Sequence, residues 1–163
     1  MPDLAKLERA LSGGSMNKPK TMAQIIRKRR FHFVSPDETA RKACKVMNNR
    51  KLGAVPVVDA DNNLLGMISE RDIVRRCIGE RRRTALTPIS EVMTQNPVFG
   101  DPDDTVIIAM AKMMQNHIRH LPIVKDGKVL GCISIREVIN ELSYMAMKNL
   151  GMVETGLKEL ETA

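Results

Sequence analysis

The chain has 163 residues and a formal net charge of +7, with 43% apolar and 28% charged residues. That size suits one compact domain or two small ones sharing a core, and that balance excludes a disordered chain. No apolar run approaches the ~18 residues that a membrane span needs.

MPDLAKLERALSGGSM at the start has no continuous apolar segment of the kind a signal peptide carries. Cys44, Cys77 and Cys132 are odd in number and far apart. They argue against a disulfide framework and a cysteine zinc site, so a reduced, cytoplasmic protein with no membrane partner is expected. Trp is absent, Tyr144 is the single Tyr, and Phe31, Phe33 and Phe99 are the other aromatics. Twelve Met, with Val, Ile and Leu, must build the core. Aromatic platforms that stack nucleic-acid bases are therefore not on offer.

Residues 1–20 carry a short amphipathic stretch, Leu4, Leu7 and Leu11, and then a Ser-Gly-Gly-Ser linker. The basic run Arg27-Lys28-Arg29-Arg30 leads into a β-type run, Phe31 to Val34, closed by Ser35-Pro36. Ala40, Ala43, Cys44 and Met47 follow helical spacing, with Ser35 or Asp37 as the expected cap and Gly53 as the exit. Ala54 to Val58 is a short apolar strand, Asp61-Asn62-Asn63 a turn, Leu64 to Ser69 a second strand, and Glu70 to Ile78 a helix. A linker at 80–87 contains Arg81-Arg82-Arg83. The pattern then returns: Val98-Phe99, a helix over 105–116, Leu121 to Val124, an Asp126-Gly127 turn, Val129 to Ile133, and a helix from Ile135 to about Leu160.

This is an internal repeat. Pro36-Asp37-Glu38-Thr39 recurs 66 positions later as Pro102-Asp103-Asp104-Thr105, and Ala43, Met47, Pro56 and Val58 recur as Ala109, Met113, Pro122 and Val124. After one lost residue, Leu65-Gly66, Ile68-Ser69 and Arg71 recur 65 positions on as Leu130-Gly131, Ile133-Ser134 and Arg136. The fold class is α/β (α+β), a β-α-β-β-α unit used twice, with helices at both ends. The organisation expected is 1–20 helix and linker, 21–79 first repeat, 80–87 linker, 88–142 second repeat, 143–163 helical tail. Pro56 and Pro122 sit inside strands, which places those strands at an edge. The backbone there is either simple edge protection or a surface turned to a ligand.

Two such units, with Ala54-Val55-Pro56-Val57-Val58 followed by Gly66-Met67-Ile68-Ser69-Glu70-Arg71-Asp72, and His120-Leu121-Pro122-Ile123-Val124 followed by Gly131-Cys132-Ile133-Ser134-Ile135-Arg136-Glu137, resemble a pair of CBS domains, a Bateman module. The resemblance covers roughly 20–142. It implies pseudo-two-fold packing of the repeats, clefts that bind AMP, ADP or ATP, or else NAD(H) or S-adenosylmethionine, and a homodimer built through the repeat helices. It also implies a regulatory role exerted on a protein effector.

The family's Ser/Thr-x-x-Asp ribose element falls on Ser69 and Asp72, and its cleft is built crosswise. One site then comprises Ser69, Arg71, Asp72, Asn96, Pro97, Val98, Arg119, His120 and Leu121. The other comprises Ser134, Arg136, Glu137, Phe31, His32, Phe33, Gly53, Ala54 and Val55. Glu137 departs from the family's Asp; its extra methylene displaces the carboxylate, so the Asp72 site is expected to bind more tightly.

Each of these features also has a plainer explanation. Ser69 and Ser134 suit helix N-caps, and the acid three residues on suits a capping box. Arg119 suits a phosphate, as do Arg29 or Arg30, while most charge runs are solvated faces. Arg71 and Arg136 suit phosphate or ion pairs equally. His117 and His120 make an HxxH spacing without an acidic or Cys partner, too little for a metal site. Met110, Met113 and Met114 suit a dimer face or ordinary core. No P-loop, GxGxxG, HExxH or GxSxG motif is present, so no enzyme is expected. The alternative reading is a basic nucleic-acid-binding protein using the Arg and Lys runs, which lacks any accompanying helix-turn-helix, zinc-finger or RNA-binding signature.

Overall fold

The computed structural model describes residues 18–27 and 30–149. The expectations for residues 1–17, for Lys28 and Arg29, and for the tail beyond Asn149 lie outside it. The elements are α1 (Met22–Ile26), α2 (Ala40–Arg50), β1 (Ala54–Val58), β2 (Leu64–Ser69), α3 (Glu70–Asp72), β3 (Thr94–Gln95), α4 (Val106–Gln115), β4 (His120–Lys125), β5 (Lys128–Ser134) and α5 (Ile135–Asn149). α3 runs straight into a π-helical segment, Ile73–Ile78, and a 3-10 turn, Ile89–Glu91, precedes β3.

The repeat extends to the caps. Thr39 and Thr105 start α2 and α4, each hydroxyl accepting from the N–H three residues on at 3.3 Å. Neither Ser35 nor Asp37 caps α2, because the chain turns helical only after Thr39. The helix exit also falls earlier than Gly53. Lys51 takes the left-handed conformation (φ 54°), as does His117 at the equivalent place (φ 53°).

β1 pairs antiparallel with β2, and β4 with β5. Both proline strands end their sheets, as expected, and each outer edge is covered over a single residue. On the far side of β1, Val34 N–H donates to Pro56 O (3.1 Å) and Val58 N–H donates to Val34 O (3.0 Å). Gly100 does the same against Pro122 and Val124, both at 2.9 Å. The next bond of such a parallel ladder needs the N–H of residue 56 or 122, which proline lacks. Each ladder therefore stops after one residue, and the chain before Val34 and before Gly100 peels away from the sheet.

The lead-in segments are exchanged. Met22 N–H donates to Asp104 O and Ala23 N–H to Pro102 O, both at 2.8 Å, while Val106 N–H donates to Lys20 O (3.0 Å). The first repeat receives the same pattern from the second: Ile89 N–H to Glu38 O (2.8 Å), Ser90 N–H to Pro36 O (3.0 Å), Ala40 N–H to Thr87 O (2.8 Å). The cores follow this exchange. Met22, Ile25 and Ile26 are buried with Val106, Met113, Leu121, Ile133 and Val138 of the second repeat. Ile89 and Val92 are buried with Val34, Met47, Val55, Ile68 and Cys77 of the first. At the hairpin tips, Leu64 N–H donates to Gly127 O (3.1 Å) and Val129 N–H to Asn62 O (3.0 Å). Val58, Val124 and Val129 close a small third core there.

Candidate functional site

One continuous cleft of about 1020 Å³ lies where the two repeats face each other. Of the first expected site, Ser69, Arg71, Asp72, Pro97, Val98, Arg119 and His120 line it. Of the second, Ser134, Arg136, Glu137, Phe31, His32, Gly53 and Ala54 line it. Four expected residues do not. Leu121 and Val55 are fully buried in the two cores, because alternation along β4 and β1 turns them away from the cleft. Phe33 is exposed outside the lining, and Asn96 is an exposed turn residue with φ 47°.

Alternation also supplies lining residues that the motifs did not. Pro56 shares a face with Ala54, Met67 with Ser69, and Cys132 with Ser134, and all of them border the cleft. Lys51 and His117 arrive there through their left-handed turns, Glu70 from within the first Ser-x-x-acid element, and Thr94 from β3; Arg30, expected from the basic run, also lines the cleft.

The crosswise construction is visible at two glycines. Gly66 of β2 faces the lead-in of the second repeat: β3 pairs Gln95 with Gly66 and Thr94 with Met67. Gly131 of β5, its equivalent, lies under Phe31, the lead-in of the first repeat. A Cβ on Gly131 would stand 2.7 Å from the Phe31 ring, and one on Gly66 would stand 2.8 Å from Thr94 O. Both glycines are required by close approach rather than by a turn.

Both Ser-x-x-acid elements are closed as capping boxes. Asp72 Oδ2 accepts from Ser69 N–H (2.9 Å) and Ser69 Oγ–H (2.6 Å), and Ser69 Oγ accepts from Asp72 N–H (3.2 Å). Glu137 Oε2 accepts from Ser134 N–H and Oγ–H, both at 2.7 Å, and Ser134 Oγ accepts from Glu137 N–H (3.4 Å). The longer Glu side chain closes the same box. The residue after each serine is anchored alike: Glu70 N–H donates to Gly53 O (3.1 Å) and Ile135 N–H to Arg119 O (2.8 Å).

The cleft carries more positive than negative side chains. Arg30, Lys51, Arg71, Arg119 and Arg136 stand against Glu70, Asp72 and Glu137. His120 is held below the ordinary histidine pKa by burial first and by Arg119 second, with Glu70 opposing. Burial pushes the Cys132 thiol up to about 12. Among the described residues, no group of three or more His, Cys, Asp or Glu could hold a metal ion. Met113 is fully buried in the second core, whereas Met114 is exposed. Arg82 is paired with Glu91, so the linker run is partly tied down. No helix of the described residues is long and apolar enough to cross a membrane.

The CBS domain matches this chain twice, at residues 23–79 and 89–144. The chain belongs to the CBS domain family. It is similar to the CBS domain-containing protein YhcV of Bacillus subtilis, with 36% identity over 111 residues, which are 68% of this chain and 78% of that one. The Arabidopsis thaliana CBSCBSPB1 is 35% identical over 101 residues, and the match spans only 19% of that longer protein. A solved CBS-domain protein from Agrobacterium tumefaciens superposes with a TM-score of 0.65 at 31% identity, covering 73% of this chain and 94% of that one. A CBS domain protein from Pyrobaculum aerophilum, solved in complex with AMP, shares the fold at 24% identity and a TM-score of 0.67, covering 77% and 99%. Each CBS unit so matched begins in the segment that packs on the other unit.

Proposed function

We propose that this CBS pair is a regulatory module that binds an adenosine nucleotide in the cleft between its repeats and reports occupancy through their relative arrangement. One observation carries the reading: a single cleft collects both Ser-x-x-acid elements, the lead-in segments and several cations from both repeats. A ligand held there touches both repeats at once, so it favours one arrangement over others. The capping boxes leave room for it. A carboxylate has about four acceptor positions, and Asp72 spends Oδ2 on its box. Ribose hydroxyls donate to the remaining positions, and phosphates meet the guanidinium forks. The AMP held by the Pyrobaculum aerophilum relative supports this ligand class. AMP, ADP or ATP comes first; NAD(H) and S-adenosylmethionine share the adenosine. A homodimer through the repeat helices and a protein effector complete the reading.

The test is thermal unfolding against AMP, ADP, ATP, NAD, NADH and S-adenosylmethionine, with Asp72→Ala beside the wild type. At 100 times Kd, the stabilisation is ~2.7 kcal/mol, or roughly 5–10 °C in Tm for a chain of this size. A rise for one ligand that Asp72→Ala abolishes supports the reading. A flat response to all six overturns it, and steeply salt-dependent binding to generic DNA or RNA would put the nucleic-acid reading in its place.

A further inference from the structure

Arg76 is not in the cleft lining, yet it joins two parts of it. Its Nη1 donates to Met93 O (2.7 Å) and Val92 O (3.1 Å). The same nitrogen lies 3.6 Å from Asp72 Oδ1. Asp72 is one end of this link, its side chain only 16% exposed and its other oxygen closed onto Ser69. The other end, Val92-Met93, runs directly into β3, which pairs with Gly66 and Met67, and then into Pro97 and Val98 of the cleft wall. One guanidinium thus spans a cleft carboxylate and the strand that leads to the opposite wall.

The position is used twice. Its equivalent 65 residues on is Glu141, which accepts from Lys20 Nζ at 2.8 Å. Lys20 belongs to the lead-in segment docked on the second repeat, where its carbonyl accepts from Val106 N–H. In both repeats, the residue four after the Ser-x-x-acid carboxylate holds the lead-in segment packed on that repeat. The chemistry is reversed: a cation on backbone carbonyls in one, a carboxylate on a lysine in the other. The backbone differs too. Arg76 sits in the π-helical segment Ile73–Ile78, while Glu141 sits in the regular helix α5. π-helical turns concentrate at functional positions.

We propose that Arg76 is a positioning residue that couples the Asp72 carboxylate to β3, the lead-in strand of the second repeat. Asp72 orients the guanidinium; the guanidinium holds Val92-Met93; the hold fixes β3 on β2. Any change in the charge or hydrogen bonding of Asp72 is thereby passed to the far wall of the cleft. The coupling itself is a property of the ligand-free protein. Its use as a signal rests on the nucleotide reading.

The experiment is a double-mutant cycle on the full chain without ligand, reading hydrogen exchange at the Thr94 and Gln95 amides. The Val138 amide, buried in the other core, is the reference for global opening. Arg76→Met is expected to speed exchange in β3 by about tenfold and leave Val138 unchanged. Asp72→Asn is expected to speed it about threefold, and the double variant to match Arg76→Met within about twofold. Effects that multiply in the double variant, or no change in β3 on Arg76→Met, overturn the proposal. Should Arg76→Met fail to fold, Arg76→Lys replaces it in the same cycle: it keeps the charge but cannot bridge the two carbonyls as Arg does. Titrating the wild type with the six adenosine ligands decides the nucleotide reading separately. Absence of a response to all six overturns that reading and leaves the result of the cycle at Arg76 standing.

Discussion

The His120 imidazole rests against Gly53 so closely that a Cβ there would stand 3.1 Å from its Cε1 and 3.2 Å from its Nε2. The contact joins the start of β4 to the residue before β1, and so crosses from one repeat to the other. Open cleft lies beside the ring, so His120 can yield by moving into it. Gly53→Ala is therefore expected to cost less than about 1 kcal/mol in stability and, on the proposed function with AMP as the probe ligand, to weaken its binding several-fold. Urea unfolding and calorimetric titration measure the two effects. Undiminished AMP affinity would show that the ring does not yield into the ligand volume.

The same histidine makes stability depend on pH. Its folded pKa is depressed, chiefly by burial. The unfolded chain takes up this proton near the ordinary value of about 6.5, and the folded chain only below it. The unfolded state binds more protons in that window, so the contribution of His120 is intact above about pH 7 and is lost as pH falls below about 6.5. Urea midpoints at pH 7.5 and 5.5 are expected to differ for the wild type and to differ less for His120→Gln. An equal drop in the variant would assign the effect to another group.

Gly66 and Gly131 test the crosswise packing. At Gly131 the obstacle is the Phe31 ring, which packs against the second core. At Gly66 it is the Met93 sulfur, which can swing away, and the Thr94 carbonyl, which cannot. Either Gly→Ala change is expected to cost about 1–3 kcal/mol by overpacking. Phe31→Leu should recover part of the loss in Gly131→Ala and none in Gly66→Ala. Thermal unfolding of the three single and two double variants reads this directly. Recovery at both glycines would contradict the separate coverage.

Cys132 borders the cleft yet is expected to be chemically quiet. With its pKa at about 12 rather than 9.0, its thiolate at pH 8 is about a thousandfold rarer than that of an unperturbed thiol. Iodoacetamide at pH 8, followed by mass mapping, should leave Cys132 unmodified in the native protein and label it in urea. Rapid native labelling would show that access through the cleft, where Cys132 is only half-buried, outweighs its raised pKa.

The repeated units were legible because each is a local pattern. Helical spacing in α2, the apolar run of β1 and the Pro-Asp-x-Thr turns all declare themselves within a few residues. The Ser-x-x-acid elements were legible as chemistry and as caps together, and the structure realises the caps in both. The exchange of lead-in segments was not legible. Met22, Ile25 and Ile26 find their burial partners far along the chain, in the second repeat, and no local pattern names those partners. Nothing in the sequence of Ile73 to Ile78 distinguishes a π-helical turn from an α-helical one. Leu121 and Val55 were expected at the sites through the backbone before each proline; reading β4 and β1 with period two, from Pro122 and Pro56, turns their side chains into the core.

The exchange of lead-in segments also makes the two repeats interdependent. Met22, Ile25 and Ile26 complete the core of the second repeat, and Ile89 and Val92 complete that of the first. Removing either repeat strips the other of part of its core, so the loop at 80–87 joins two units that are not independent of each other.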